Sequence, residues 1–475
     1  MLIPTDIRIL LEKSPPEILA LVQQLISAVE DLTAENERLR ERVNRNATNS
    51  HTPPSKDTFV KPKSLRRPSG RKPGGQLGHV GTTLHRADQP DEIIEHRPQH
   101  CEHCQCEIPQ DAPAVIRSSR QEVEIIIRRT VREHRCCEVT CPVCQKKTTA
   151  EFPAEIDHYV QYGANYKAVM LYLNQGNFIP FDRLAAFSKD VLQIPVSVGA
   201  LNRFVQEAAP LLEQSVHVIR ETIRQAPVVH FDETGTRVSG TLKWRHSAST
   251  ALYTLLQTHQ KRGREAMSDI GILSDFTGCA VHDCWQPYFG YDACAHALCN
   301  AHLLRELNGI EENDRQAWPV LMKETLLAAK KLKEEQPGPL PTAEIEYLHR
   351  RYDEALHRGF AENPLPQVSP DGAKKRGRKA KSKARNLLER MALFRDNILL
   401  FLRQPDIPFD NNLSERDLRM SKTQQKVSGC FRSDDGCAAF DRYHSYVSSA
   451  RKQDISAFDA TLALMSGRPY FSVPP

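Results

Sequence analysis

The sequence predicts a multidomain α/β protein whose core is a sheet with carboxylates at its strand ends. PVVHFDETGTRV (227–238) is a buried-strand run leading into Asp232 and Glu233, and TLKWRHSAST and ALYTLLQ read as two more strands. REAMSDIGIL (264–273) then reads as a helix, and CAVHDCW (279–285) as a strand ending at Asp283. Three strands, a helix and a strand, with an acid closing the first and fourth strands, is the layout of a ribonuclease H-like core.

A chain of 475 residues, 40% hydrophobic, has material for about three domains at ~150 residues each. The net charge of +5 is modest, so the placement of the basic residues matters more than their total. No run approaches the ~18 apolar residues of a membrane span. MLIPTDIRILLEK lacks the basic and apolar blocks of a signal peptide, so a cytoplasmic location is expected. In that compartment thirteen cysteines point to metal or free thiols rather than disulfides.

From the start of the chain, 1–45 is expected to be a coiled coil. Ile18, Leu25, Leu32 and Leu39 fall seven apart, as do Val22, Val29, Asn36 and Val43 on the neighbouring seam. Leu at d, Val at a and one polar Asn at a suit a two-stranded coil. The alternative is one amphipathic helix packed on its own core. Residues 46–96 read as a flexible basic linker: Lys56 to Arg86 holds eight Lys/Arg and one acid. Lys61, Lys63, Arg66, Arg67, Arg71 and Lys72 are its candidate DNA-phosphate contacts.

A zinc-binding β domain is expected over 97–155. Cys101-x-x-Cys104 and Cys141-x-x-Cys144 are two knuckles separated by an alternating, β-branched stretch that predicts one or two strands. Four thiolates suit a closed, structural tetrahedral zinc site. Cys106, Cys136, Cys137 and His103 are substitute ligands, and reduced free cysteines are the alternative. Residues 156–225 carry three amphipathic stretches and form a helical, helix-turn-helix-like DNA-binding region. The catalytic core is placed at 226–300 and 405–450, a helical insertion at 301–404 and a tail at 451–475. The insertion holds KKRGRKAKSKAR (374–385), in which Lys374, Lys375, Arg376 and Arg378 are further DNA-contact candidates.

The chemistry that two facing acids suggest is metal-dependent phosphoryl transfer. Magnesium prefers carboxylate oxygens, and two such ions clamp the attacking and leaving oxygens of a phosphodiester. A third carboxylate is expected, and Glu415 in FDNNLSERDLRM is the best placed, in the first turn of a helix. Arg416 and Arg419 lie near it and are candidates to hold phosphate or orient the acid. Glu233, Asp410 and Asp417 are rival ligands, although alternation along the strand sends Glu233 to the opposite face from Asp232.

In order along the chain, NSHTPPSKD (49–57), RRPSGRKPGGQLGHVG (66–81), the two knuckles, VVHFDETGTRV (228–238), VHDCWQPYF (281–289) and DNNLSERDLR (410–419) resemble segments of the insertion sequence 66 family of DDE transposases. CNAHLLREL (299–307) adds a Cys-x-x-His pair, Cys299 and His302, similar to one that several DDE families carry after the second Asp. The sequence departs from the family pattern where Cys284-Trp285 follows Asp283 and where Gln105 and Gln145 follow the knuckles.

The resemblance implies a DNA transposase that binds the terminal inverted repeats of its element and catalyses strand cleavage and transfer. It implies Asp232, Asp283 and Glu415 as catalytic ligands of two Mg2+ (or Mn2+) ions, and Cys101, Cys104, Cys141 and Cys144 as ligands of structural Zn2+. Cys299 and His302 would be accessory. DNA, a second copy of the chain and accessory proteins of the element are the expected partners, with no membrane, at the bacterial nucleoid. The alternatives are an inactive DNA-binding regulator or architectural protein, and a structure-specific nuclease of the same fold.

Overall fold

The computed structural model describes residues 15–46, 49–50, 83–336, 338–365 and 381–471. The two basic segments expected to contact DNA, Lys61 to Lys72 and Lys374 to Arg378, lie outside them. The chain divides into two units.

The larger unit is organised by strand β3 (Val228–Val238). It pairs antiparallel with β4 (Thr241–Ser249), which pairs antiparallel with β5 (Thr254–His259). The β3–β4 loop is only Ser239-Gly240, both at positive φ (50° and 78°), as the twist of a two-residue hairpin requires. On its other side β3 pairs parallel with β6 (Cys279–His282), and β6 with β7 (Ala295–Leu298). The sheet order is therefore β5-β4-β3-β6-β7. β3 extends well past Asp232, so that acid sits mid-strand and not at the strand end expected from sequence. β7 is a short strand that the sequence reading passed over.

Period-two alternation sends β3 and β6 side chains to two cores. Val229, Phe231 and Ala280 join a core completed by α4 (Val198–Arg224), α5 (Arg264–Ile270), α13 (Asp434–Lys452) and α14 (Ala457–Met465). Leu212, Val216, Ile219 and Ile223 supply the inner stripe of α4 at helical spacing. Cys279 and Val281 join the opposite core, with Ala297 and Leu298 of β7. That core is filled by α6 (Asn300–Asp314), α7 (Trp318–Glu335), α8 (Thr342–Glu362), α9 (Lys383–Leu393) and the one-turn helices α10 (Arg395–Ile398) and α11 (Leu400–Arg403). They lie along the span 301–404, over which helices were expected.

The helical region expected over 156–225 comprises α2 (Ala164–Leu171), prolonged by a π-turn, α3 (Phe181–Asp190) and α4. It shares the sheet's core, because Leu171 and the stripe of α4 are buried there. The stretch expected as a tail is instead α14, whose Ala457, Ala460 and Leu464 are buried in that core. α13 is fixed to β4 by a buried Arg245–Asp441 ion pair, with the guanidinium 4.5 Å above the Phe440 ring.

The first helix, α1 (Pro16–Asn44), follows the predicted heptads, and Ile18, Leu25, Val29, Leu32, Leu39 and Val43 are all exposed. Asn49 ends this arm on α6. Its amide donates to Glu312 at 2.7 Å, and its carbonyl oxygen lies 2.4 Å from where a Cβ on Gly309 would stand. Only glycine permits that approach.

In the smaller unit, residues 83–152 with 190–194, β1 (Glu138–Thr140) pairs antiparallel with β2 (Lys147–Thr149). The β-branched stretch before β1 forms no strand, and Ile125 and Ile126 are exposed, so no buried face rewards the alternation. Among the described residues no helix is long and apolar enough to cross a membrane.

Candidate active site

Asp232 leaves β3 on the face opposite Phe231, as alternation requires. It is raised well above the usual carboxylate range, first by burial, then by Glu233, Asp283 and Glu415. Asp283 and Glu415 are therefore both close enough to act on Asp232. Asp283 stands directly after β6, beside β3, and takes the Trp285 N–H on Oδ1 at 3.1 Å. Glu415 comes from the first turn of α12 (Asn412–Ser428).

α12 is seated on the sheet by its own polar residues. Asn411 is buried; its Oδ1 accepts from His230 Nδ1 at 2.8 Å, and its Nδ2 donates to the Phe231 carbonyl at 2.7 Å. Ser414 meets Ser247 of β4, and Lys422 donates to the Gly235 carbonyl at 2.9 Å. Asp417 accepts from Ser249, Thr254 and Lys452. Of the rival acids, Asp417 is thus occupied in holding α12, and Asp410 caps the same helix through the Asn412 N–H at 3.1 Å.

Glu233 projects to the other face. Arg262 grips its Oε1 with two N–H groups (2.8 and 2.6 Å), and the Tyr288 hydroxyl donates to Oε2 at 2.6 Å. Arg262 is stacked between Trp244 (4.8 Å) and Trp285 (4.0 Å). Burial and Asp283 raise Glu233, while Tyr288 and Arg262 act against the rise. Glu233 is thereby occupied as a ligand to a cation of the protein itself.

Arg416 and Arg419 are exposed on α12. The guanidinium facing Glu415 is that of Arg305, 3.6 Å from Oε2, and His302 Nε2 is 3.7 Å from Oε1. Neither Arg305 nor Arg262 was singled out from sequence. Arg305 was findable, since it follows His302 by three residues and shares its helix face. Arg262 was not, because its partners Glu233, Trp244 and Trp285 come from three separate segments of the chain.

Cys299 caps α6, and its Sγ accepts the Asn411 N–H at 3.2 Å. Burial pushes the thiol up to about 12. Cys299, His302 and Glu415 each offer a ligand atom within 4.8 Å of the other two, an arrangement that could hold a metal ion. Among the described residues, the four knuckle cysteines do not gather in this way. Each knuckle closes on itself: the Gln105 N–H returns to the Cys101 carbonyl, and the Gln145 N–H to that of Cys141, both at 2.9 Å. Gln105 and Gln145 take positive φ (58° and 56°), the conformation for which glycine is the usual choice.

A family model described as "Transposase IS66 family" matches residues 159–439, more than half of the chain. The chain belongs to the IS66 family of transposases. The matched span of this IS66 transposase-family chain contains Asp232, Asp283, Glu415, Cys299, His302 and the helices α6 to α11. "Uncharacterized protein y4jO" of Sinorhizobium fredii (strain NBRC 101917 / NGR234) is 39% identical over 70 residues, 15% of this chain. The alignment spans 22% of that relative's length.

Proposed function

We propose that this chain is a DNA transposase in which Asp232, Asp283 and Glu415 are the catalytic carboxylates. The observation that carries the reading is the convergence of Asp283 and Glu415 on a half-buried Asp232 within an IS66 family match. The sheet order, with β3, β4 and β5 antiparallel and β6 and β7 parallel, supports a ribonuclease H-like core.

The residues fit divalent magnesium or manganese. Asp283 and Glu415 raise the cost of ionising Asp232, a cost that a bound cation offsets, and Glu415 Oε1 is buried without a hydrogen-bond donor. Oxygen-only donors of this kind suit a hard cation. When bound, two such ions supply Lewis-acid activation of water or a DNA 3′ hydroxyl and stabilise charge on the phosphodiester. The chain's own part is to hold the acids in register. Asn411, Ser414, Asp417 and Lys422 lock α12, and with it Glu415, against β3 and β4. Arg262 and Tyr288 keep Glu233 turned away. Arg305 beside Glu415 offers a cation to a DNA phosphate.

The exposed apolar seam of α1 supports pairing with a second copy, which would bring two element ends together. The knuckles remain the candidate structural zinc ligands, and the basic segments the candidate contacts to inverted repeats and target DNA. Accessory proteins of the element are possible further partners.

The test is a strand-cleavage and strand-transfer assay on DNA carrying the element's ends, in magnesium. Wild type should give joined products, and Asp232→Asn, Asp283→Asn and Glu415→Gln should each lose cleavage while retaining DNA binding. Cleavage that survives any one substitution removes that residue from the set. Tight binding with no cleavage in any divalent metal would favour a DNA-binding regulator, and cleavage without joining a nuclease.

A further inference from the structure

Glu415 faces two ways. On one side is Asp232; on the other are a thiol and an imidazole that the proposed phosphoryl transfer does not use. Cys299 is the N-cap of α6 and His302 lies in its first turn, so the Cys-x-x-His spacing places both on one side of the helix start. Their ligand atoms and that of Glu415 lie within 4.8 Å of one another. Tetrahedral zinc holds sulfur at about 2.3 Å and nitrogen or oxygen at about 2.0–2.2 Å, so small side-chain rotations bring these three atoms to ligand spacing.

Two further observations point to a ligand here. Glu415 Oε1, a buried carboxylate oxygen, accepts no hydrogen bond. The Cys299 sulfur already accepts a backbone N–H from Asn411, a donor that stabilises negative charge on sulfur. The charges also balance: one thiolate and one carboxylate neutralise a divalent ion, which lowers the cost of burying it. Sulfur and imidazole together select a borderline or soft cation over magnesium.

We propose that Cys299, His302 and Glu415 form a binding site for a thiophilic divalent cation of the zinc type, distinct from the knuckle cysteines and with a fourth position left open. On binding, the Cys299 S–H bond breaks, its proton passes to solvent and the sulfur bonds the ion, with no change of oxidation state. Because Glu415 serves both sites, zinc withdraws it from the carboxylate set and inhibits the magnesium reaction. That consequence rests on the proposed transposase function; the binding site itself does not.

The experiment uses the full chain stripped of metal and titrated with cobalt(II), whose visible and thiolate charge-transfer bands report tetrahedral sulfur ligation. Wild type should take up one equivalent more than Cys299→Ser and one more than His302→Ala, the knuckle cysteines contributing equally to all three. His302→Ala is the check against a folding defect at the buried Cys299, with circular dichroism on every variant. Identical stoichiometry and spectra would overturn the site. In parallel, cleavage in magnesium is measured with and without one added equivalent of zinc. Wild-type activity should fall at least about tenfold and return with a chelator, and the ratio with and without zinc should move towards one in Cys299→Ser. Cobalt uptake without zinc inhibition would overturn the sharing of Glu415. A wild type that never cleaves in magnesium would overturn the transposase reading, while the cobalt titration still decides the site.

Discussion

Lys452 Nζ donates to Asp417 Oδ2 at 2.7 Å, tying the last turn of α13 to α12 two residues beyond Glu415. The same oxygen accepts from Ser249 at 2.6 Å and Thr254 at 2.8 Å. Both partners of the pair are largely buried, and burial lowers Lys452, so its charge is sustained by Asp417. Asp417→Ala leaves a buried ammonium uncompensated and should cost about 3 kcal/mol. Urea unfolding of the variant measures this. A loss below about 1 kcal/mol would mean that the pair behaves as a surface contact.

The acids around Asp232 repel one another, so part of the fold's stability is given up to hold them together. Asp232→Asn removes one charge and should raise metal-free stability by about 1–2 kcal/mol. It should also reduce the rise in Tm that magnesium produces in wild type. Thermal melts with and without magnesium check both. A variant less stable than wild type without metal would place the dominant role of Asp232 in packing.

His444 is buried between Phe178 and Phe440, with Nε2 at the Gln175 carbonyl (3.0 Å), and burial holds its pKa down to about 3. The unfolded chain protonates this histidine near 6.5 and the folded one does not. Stability is therefore complete above about pH 6.5 and falls on acidification, by up to about 1.4 kcal/mol per pH unit until about pH 3. His444→Gln should flatten that part of the curve, as read by denaturation midpoints from pH 7 to pH 4. An unchanged slope would assign the acid sensitivity elsewhere.

Gly309→Ala places a methyl group against the Asn49 carbonyl. The expected result is release of residues 49–50 from α6 with little change in the sheet. Hydrogen exchange should quicken around Asn44 to Ser50 and stay unchanged in β3. Equal protection in both proteins would show that the contact has room to adjust.

The parts of the fold readable in sequence were those with a strong local period. The strands about Asp232 and Asp283 and the helices of the insertion each show their own apolar pattern. β7 was missed because AHAL is only four residues long and runs straight into the helix start at Asn300. Asp232 was placed at a strand end, yet Thr234, Gly235 and Thr236 continue the strand beyond it. Nine residue pairs with β4 keep them extended, an effect of pairing and not of propensity. For the site, alternation places Asp232 and Glu233 on opposite faces because β3 pairs with β4 without a bulge through this stretch. Arg262, Tyr288 and Arg305 carry no local signal, because their roles exist only once separate elements meet.

The order of the site residues along the chain has a consequence for synthesis. β3 and β6, with Asp232 and Asp283, leave the ribosome before any residue of the helical insertion, and Glu415 follows only after all of it. α13 comes later still, yet its Ser445 and Ser449 hydroxyls take the Leu256 and Thr254 N–H groups of β5, both at 2.9 Å or less. A chain that stops before Glu415 therefore carries two of the three acids, on β3 and after β6, without the third, so any capacity to cut DNA would wait until the helices between them have been made.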